Sequence, residues 1–127
     1  MSYYLGQKSL EKLQGVHPDL VKVVKLAITK TSVDFAVTEG LRTVERQKEL
    51  LAAGASQTMN SRHITGHAVD VVAVVGTEIR WDWPLFSKIA QAMKAAAAEL
   101  KISIQWGGDW KTFKDGPHFQ LDRKKYP

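Results

Sequence analysis

Two histidines and one aspartate lie within eight residues in the stretch SRHITGHAVDVVA. Imidazole and carboxylate groups can bind a metal ion or exchange protons, so this stretch is a candidate site. His63 and His67 have the four-residue spacing of the helical HExxH zinc motif. Ile64 stands where that motif requires glutamate, and Thr65 followed by Gly66 opposes a helix through the pair. The spacing of the two histidines therefore does not indicate a helical zinc site.

A pairing of His63 with Asp70 fits the local sequence better. Gly66 lets the chain bend between them, so that side chains seven residues apart can converge. Asp70 lies in a valine-rich segment, where a buried carboxylate requires a partner to offset its desolvation. A metal ion is one such partner, and a helix N-terminus or Arg42 is another. The spacing leaves a metal site and a structural salt bridge as equal alternatives.

A second polar segment, DGPHFQL, places Asp115 three residues before His118. Pro117 stiffens the approach to His118, which can open a strand beside the one that carries Asp70. Two histidines and one carboxylate with an open fourth position are typical of catalytic zinc sites, whereas structural zinc sites are closed. Asp115 would then be free to act as a general base.

The remaining candidate groups have simpler interpretations. His17 precedes a predicted helix and has no ligand-type partner at a suitable spacing, which favours a capping or packing role. Asp109 lies among glycine and tryptophan residues and is interpreted as a turn residue rather than as the base. His67 is expected at the edge of the cleft. Trp106 and Trp110 either line the cleft or pack in the core.

The elements that must position these groups are predicted from periodicity. Apolar residues recur at helical spacing after Pro18 and across PLFSKIAQAMKAAAAEL, and Thr43 is the predicted N-cap of a short helix through Ala53. Strands are predicted for SVDFAVTEG, HAVDVVAVV, ISIQW and HFQL. Neither a GxGxxG motif nor a P-loop is present. The pattern predicts one α+β domain over residues 1–127, a small antiparallel sheet packed with helices.

Composition limits the class of protein. A hydrophobic fraction of 44% and a charged fraction of 24% are typical of a globular chain. The absence of cysteine excludes disulfides, thiol catalysis and cysteine-ligated zinc. A net charge of +5 favours polyanionic surroundings without choosing among nucleic acid, anionic lipid and an acidic cell envelope. The N-terminal residues lack a signal-peptide pattern, so we expect synthesis in the cytoplasm and, for action outside, release by another protein.

Three motifs in the chain resemble those of a known family. SRHITGHAVD matches the pattern S-x-H-x-x-G-x-A-x-D, WGGDWKTFKDGPHFQL matches the family's aspartate-x-x-histidine segment, and EGLRTVERQ resembles its upstream arginine segment. The chain resembles the zinc peptidases of the D-alanyl-D-alanine metallopeptidase and hedgehog fold group, most closely the L-alanyl-D-glutamate endopeptidases that serve as phage endolysins. The resemblance extends from GVHPDLVKVV to HFQL, nearly the whole chain.

The resemblance implies a role for each matched residue. His63, Asp70 and His118 correspond to the zinc ligands. Asp115 corresponds to the catalytic acidic residue, and Arg42 to the arginine that faces the substrate carbonyl. Two further residues, Ser61 and Gln47, match family positions that support the ligands or contact the substrate.

The activity implied by the resemblance is hydrolysis of the peptidoglycan stem peptide at its L-alanyl-D-glutamate bond, which causes host lysis after a permeabilising protein releases the enzyme. One compact domain without a heptad seam predicts a monomer. Glu39 and Leu41 stand where the carboxypeptidases of the group usually have serine and an aromatic residue. This disfavours D-alanyl-D-alanine carboxypeptidase activity, which remains the alternative. A non-catalytic zinc-containing binding module is disfavoured by the presence of both Asp115 and Arg42. Neither nucleic-acid binding nor stable membrane insertion is expected.

Overall fold

The computed structural model describes residues 3–54 and 61–127. Helices in this part of the chain are α1 (Gln7–Lys12), α2 (Pro18–Lys30), α3 (Val44–Ala52) and α4 (Trp83–Leu100). The strands are β1 (Asp34–Glu39), β2 (Ala68–Val75), β3 (Glu78–Arg80), β4 (Ile104–Trp106) and β5 (His118–Leu121), and a 3-10 helix spans Gly107–Asp109. The mixture of helices and strands confirms the predicted α+β class.

The strands form one antiparallel sheet in which β2 pairs with three neighbours. β1 lies along one edge of β2, while β5 and then β3 lie along its other edge. β4 pairs with the outer edge of β5. This register places Glu39 opposite Asp70 on one side and His118 opposite Asp70 on the other. The strands β1, β2 and β5 therefore place Glu39, Asp70 and His118 side by side.

Helix α2 begins where the sequence predicts, after an N-cap at His17. His17 Nδ1 accepts a hydrogen bond from the backbone N–H of Asp19 at 3.1 Å, which confirms the capping role predicted for this histidine. The predicted apolar face is fully buried; it consists of Leu20, Val23, Val24 and Ala27. Burial of this face, rather than intrinsic propensity, stabilises the helix.

The core lies between α2, α4 and one face of the sheet. The face of α4 predicted from the sequence is buried at five positions, Phe86, Ile89, Ala90, Met93 and Ala97, while Leu100 is half-buried against the core. Val69, Val71 and Ala73 of β2 belong to the same core. Because side chains alternate along a strand, Asp70 projects from the other face of the sheet.

Two short elements were not predicted from the sequence, namely α1 and β3. They contain six and three residues, too few for a periodic pattern to be distinguished. β4 begins at Ile104, two residues later than expected, because only its last residues pair with β5. Most of the predicted loop at 52–61 lies outside the described residues. None of the described helices combines the length and the apolar character needed to cross a bilayer.

Candidate active site

The three residues matched to zinc ligands meet beside the centre of the sheet. His63 lies in the loop before β2, Asp70 is on β2, and His118 opens β5. One ligand atom from each of them lies within 4.8 Å of the other two. Asp70 Oδ1 is 3.2 Å from His63 Nε2 and 3.3 Å from His118 Nδ1. The pairing of β2 with β5 therefore joins two motifs that are far apart in the sequence.

The loop that carries His63 bends at Gly66. This glycine has a φ of +76°, and an added β-carbon would come within 2.5 Å of Gly15 O. Its carbonyl accepts a hydrogen bond of 2.8 Å from the backbone N–H of His17. The bend predicted at Gly66 is therefore present, and the segment before α2 holds it in place.

Each ligand histidine has its remote ring nitrogen occupied by an oxygen acceptor. His63 Nδ1 donates to Gly40 O at 2.9 Å, and His118 Nε2 donates to Gln120 Oε1 at 2.8 Å. A carbonyl oxygen can only accept, so the nitrogen that faces it carries the proton. In the neutral imidazoles, the lone pairs of His63 Nε2 and His118 Nδ1 then face Asp70.

This donor set fits a divalent metal ion. Lone-pair-bearing atoms that lie this close repel each other unless a cation or a proton lies between them. Ligands at 2.0–2.2 Å from a tetrahedral zinc ion are about 3.4 Å apart. The separations of 3.2 and 3.3 Å between Asp70 Oδ1 and the two imidazole nitrogens agree with that value. Three protein ligands also leave a fourth position for water or substrate.

The charge on Asp70 is stabilised by its two histidine neighbours. Burial alone raises the pKa of Asp70, but its contacts with His118 and His63 outweigh burial and hold the pKa well below its usual range. Burial lowers the pKa of His118, whereas its contact with Asp70 raises that pKa and dominates. Asp70 is anionic at neutral pH, as a metal ligand must be.

Asp115 lies at the end of the loop that precedes β5. Its backbone N–H donates to Gly107 O at 3.0 Å, and its carbonyl accepts from His118 N at 3.2 Å. Burial raises the pKa of Asp115, and the negative charge of Asp70 raises it further, against the opposing effect of nearby cationic groups. A carboxyl group shifted in this direction is suited to accept and return a proton.

Arg42 follows β1, and its guanidinium group is held by three side chains. Nε donates to Glu39, while Nη1 donates to Gln47 Oε1 at 2.6 Å and to Ser61 Oγ at 3.3 Å. Burial lowers the pKa of Arg42, but the Glu39 carboxylate more than offsets this effect. Arg42, the alternative salt-bridge partner for Asp70, thus forms its ion pair with Glu39. The residues matched to supporting positions, Gln47 and Ser61, hold Arg42.

Three supporting groups were not identified from the sequence. The sequence marks Glu39 only as a departure from the carboxypeptidases, whereas in the structure it orients Arg42. Gln120 lies two residues after His118 on β5, so strand alternation was a usable signal for it. Gly40 contributes a backbone carbonyl, which has no signature in the sequence.

His67 and Asp109 lie apart from the ligand group. The His67 ring is 5.5 Å from that of His17, and its Nδ1 is 2.7 Å from Thr65 Oγ1. Asp109 lies in the 3-10 helix and forms an exposed ion pair with Lys94 at 2.7 Å. These contacts support the interpretation of Asp109 as a turn residue and give His67 a local packing role.

The two tryptophans of the WGGDW segment differ in their surroundings. Trp106 is buried, and its Nε1 donates to Gly116 O at 2.7 Å. Trp110 is half-buried, and its ring centroid lies 5.2 Å from that of His118. Core packing therefore describes Trp106, whereas Trp110 borders the ligand group.

Known proteins resemble this chain over nearly its full length. The family model described as phage L-alanyl-D-glutamate peptidase matches residues 1–125. The L-alanyl-D-glutamate peptidase of Escherichia phage T5 is 33% identical over 130 residues, which cover 99% of this chain and 94% of that protein. The match to this relative therefore extends over almost the full length of both chains.

Solved structures agree with this comparison. The Serratia marcescens L-Ala D-Glu endopeptidase ChiX superposes with a TM-score of 0.92 at 54% identity, covering 95% of this chain and 91% of that one. The vancomycin resistance D,D-dipeptidase VanXYg, at 20% identity, shares the fold with a TM-score of 0.56 over 84% of this chain and 50% of that one. Both the sequence match and the fold lead to one conclusion: the chain belongs to the family of phage L-alanyl-D-glutamate peptidases.

Proposed function

We propose that this chain is a zinc-dependent endopeptidase that hydrolyses the L-alanyl-D-glutamate bond of the peptidoglycan stem peptide and thereby lyses the host cell. The observation that carries the proposal is the convergence of His63, Asp70 and His118 beside the carboxyl group of Asp115, whose pKa is raised. Membership of the family, and the activity in the name of the phage T5 relative, both support cleavage of this bond.

The imidazoles of His63 and His118 and the carboxylate of Asp70 would hold the zinc ion. Gly40 O and Gln120 Oε1 keep the two rings in the orientation that ligation requires. When bound, zinc supplies Lewis acidity toward the scissile carbonyl and lowers the pKa of a coordinated water to about 7.

Asp115 moves the proton during hydrolysis. Its carboxylate accepts a proton from the attacking water as the new C–O bond forms, and returns it to the D-glutamate nitrogen as the C–N bond breaks. Burial and the charge of Asp70 raise the pKa of Asp115, which makes its carboxylate a stronger base toward the attacking water. Because the proton is returned, the Asp115 carboxyl group is ionised again at the end of the cycle.

Arg42 stabilises the negative charge that develops on the carbonyl oxygen. Its side chain is 9% exposed and is tethered through Nε and Nη1 before substrate arrives. A fixed cation in a partly dry site stabilises such charge without reorganisation during the reaction. Glu39 supports this role because it keeps the guanidinium group in place.

Digestion of purified peptidoglycan with the zinc-loaded protein, followed by mass spectrometry of the fragments, tests the proposal. We expect new amino termini at D-glutamate. Release of terminal D-alanine would favour a D-alanyl-D-alanine carboxypeptidase instead, and intact stem peptides would exclude both activities. Asp115→Ala should abolish cleavage with zinc content unchanged, whereas the matched control Asp109→Ala, at an exposed ion pair, should retain it.

We further propose a monomer made in the host cytoplasm that reaches the cell wall after a separate protein permeabilises the membrane. Family membership among phage enzymes supports this route. The net charge of +5 would assist binding to an anionic envelope, and no nucleic-acid partner is proposed. Expression with and without a pore-forming protein tests the route, because lysis by this chain alone would contradict it. Light scattering after gel filtration tests the monomer.

A further inference from the structure

Three exposed aromatic side chains lie on or near the segment that carries Asp115. They are Trp81, Trp83 and Phe113, which are 62%, 47% and 73% exposed. Trp81 and Trp83 both approach Phe86, and Phe113 stands two residues before Asp115; we call the three the aromatic surface. Side chains of this kind are usually buried, and clusters of them at the surface mark sites of interaction. The catalytic steps proposed above use none of the three.

Gly116 connects the aromatic surface to the proposed base. This glycine directly follows Asp115, and an added β-carbon would come within 3.4 Å of Trp83 Cζ3 and 3.0 Å of Phe86 Cδ2. The ring centroids of Trp81 and Phe86 are 6.2 Å apart, so Trp81 also approaches this phenylalanine. The segment that delivers Asp115 therefore rests against the aromatic residues.

Phe113 is held in an unfavourable backbone conformation. Its φ is +51°, in the left-handed region, which costs a residue with a β-carbon about 1–2 kcal/mol. Because the side chain is largely exposed, burial does not compensate for this cost. A strained residue that presents an aromatic ring to solvent near reactive groups is typical of a binding role.

We propose that the aromatic surface binds the amino-sugar strand of peptidoglycan during cleavage. This inference rests on the proposed function, because the stem peptide is joined to the sugar through its L-alanine. Only that alanine and a lactyl group separate the scissile carbonyl from the sugar ring, a span of roughly 7 Å at about 3.5 Å per residue. A sugar must therefore lie beside the active site, and its C–H faces can pack on aromatic rings.

Charged groups around the aromatic surface favour a sugar over a lipid bilayer. Trp81 lies between Arg80 and Asp82, which form an exposed ion pair at 2.5 Å. A carboxylate against acyl chains is unfavourable, whereas Asp82 can accept a hydrogen bond from a sugar hydroxyl. Aromatic faces with polar groups at their edges match the amphipathic character of an amino sugar.

Binding is tested apart from cleavage by titrating the zinc-loaded protein with the N-acetylglucosamine tetramer in a calorimeter. We expect saturable binding that Trp81→Ala and Phe113→Asn each weaken at least fivefold. Asparagine is chosen because it tolerates a positive φ, so the loop can keep its conformation. The matched control is Tyr4→Ala, an aromatic residue that is 85% exposed outside the aromatic surface, and it should bind as the wild type does.

Cleavage gives the second measurement. We expect kcat/KM for a disaccharide-linked tripeptide to exceed that for the N-acetylated tripeptide at least tenfold, and Trp81→Ala to bring this ratio toward one. Equal kcat/KM values of the wild type for the two substrates would overturn the inference. A ratio of these values that Trp81→Ala leaves unchanged would overturn it as well. Binding to phosphatidylglycerol vesicles through Trp81, without binding to the tetramer, would assign the surface to a bilayer and also overturn it. Tetramer binding through Trp81 without any cleavage would refute the proposed function alone.

Discussion

At the scale of single residues, the site depends on which nitrogen of each histidine carries a proton. Gly40 O and Gln120 Oε1 accept from the remote nitrogens of His63 and His118, so both rings present a lone pair toward Asp70. The Gln120 amide is itself oriented by donation to Gln105 Oε1 at 3.1 Å. These contacts prepare the ligand nitrogens before a metal ion arrives, which reduces the cost of binding it.

Gln120→Leu should lower zinc affinity about 10- to 100-fold, because His118 loses the acceptor that sets its ring orientation and its protonated nitrogen. Competition with a chromophoric chelator measures the change. Gln105→Leu is the control, since it leaves the acceptor of His118 in place, and it should have a smaller effect. Wild-type affinity in Gln120→Leu would show that this contact does not prepare the ligand.

Asp115→Asn should remove peptidase activity and yet stabilise the metal-free protein at pH 7. The pKa of Asp115 is raised by burial and by Asp70, so the ionised form is disfavoured in the folded state. A carboxyl group with a raised pKa contributes stability at low pH and loses it as the pH rises through the folded-state pKa. The variant should therefore melt at a higher temperature than wild type at pH 7, and the difference should vanish near pH 3. A lower melting temperature at pH 7 would contradict this assignment.

At the scale of elements, the ligands are held together by one bend and one strand pairing. The bend at Gly66 returns the chain from His63 to the start of β2, and the antiparallel pairing of β2 with β5 sets His118 opposite Asp70. Gly66 packs against the backbone of Gly15, so the connection between α1 and α2 also fixes the loop. The geometry of the site is thus tied to elements that contribute no ligand.

Gly66→Ala should destabilise the fold by about 3 kcal/mol or more and weaken zinc binding, because it adds backbone strain and a clash with Gly15. Gly54→Ala is a matched control, since Gly54 has the same φ of +76° with nothing within 4 Å of an added β-carbon. That control should cost about 1–2 kcal/mol, from strain alone. Urea unfolding measures both variants, and equal losses would show that the contact with Gly15 has no role.

At the scale of the whole molecule, a bound metal ion would join the loop before β2, the middle of the sheet and the strand β5. These segments come together only in the folded chain. A ligand that binds the folded state alone stabilises it by mass action. Metal binding and global stability should therefore be coupled in this protein.

Zinc at 100 times its dissociation constant should raise the free energy of unfolding by about 2.7 kcal/mol. For a chain of this length, that corresponds to an increase in melting temperature of roughly 10 °C. Differential scanning calorimetry measures the shift, and a chelator should reverse it. His63→Ala should abolish the shift, and its persistence in that variant would place the metal elsewhere.

The sequence by itself determined the elements and motifs that depend on local pattern. The apolar face of α2, the N-caps at His17 and Thr43, and the strand β5 all follow from residue periodicity or from a side chain a few residues away. The ligand motifs were also visible, because each spans no more than about ten residues. Short elements such as α1 and β3 carry too little pattern to be predicted.

Only the tertiary structure decided which of the local groups meet. Residue spacing alone allows Asp70 to pair with Arg42, but strand pairing places Asp70 between His63 and His118, and Arg42 forms its ion pair with Glu39. The hydrogen-bond acceptor for His63 is Gly40 O, directly after β1, and the acceptor for His118 is Gln120 Oε1, in β5. The physical reason is that spacing constrains neighbours along the chain, whereas contacts between distant strands depend on the register of the whole sheet.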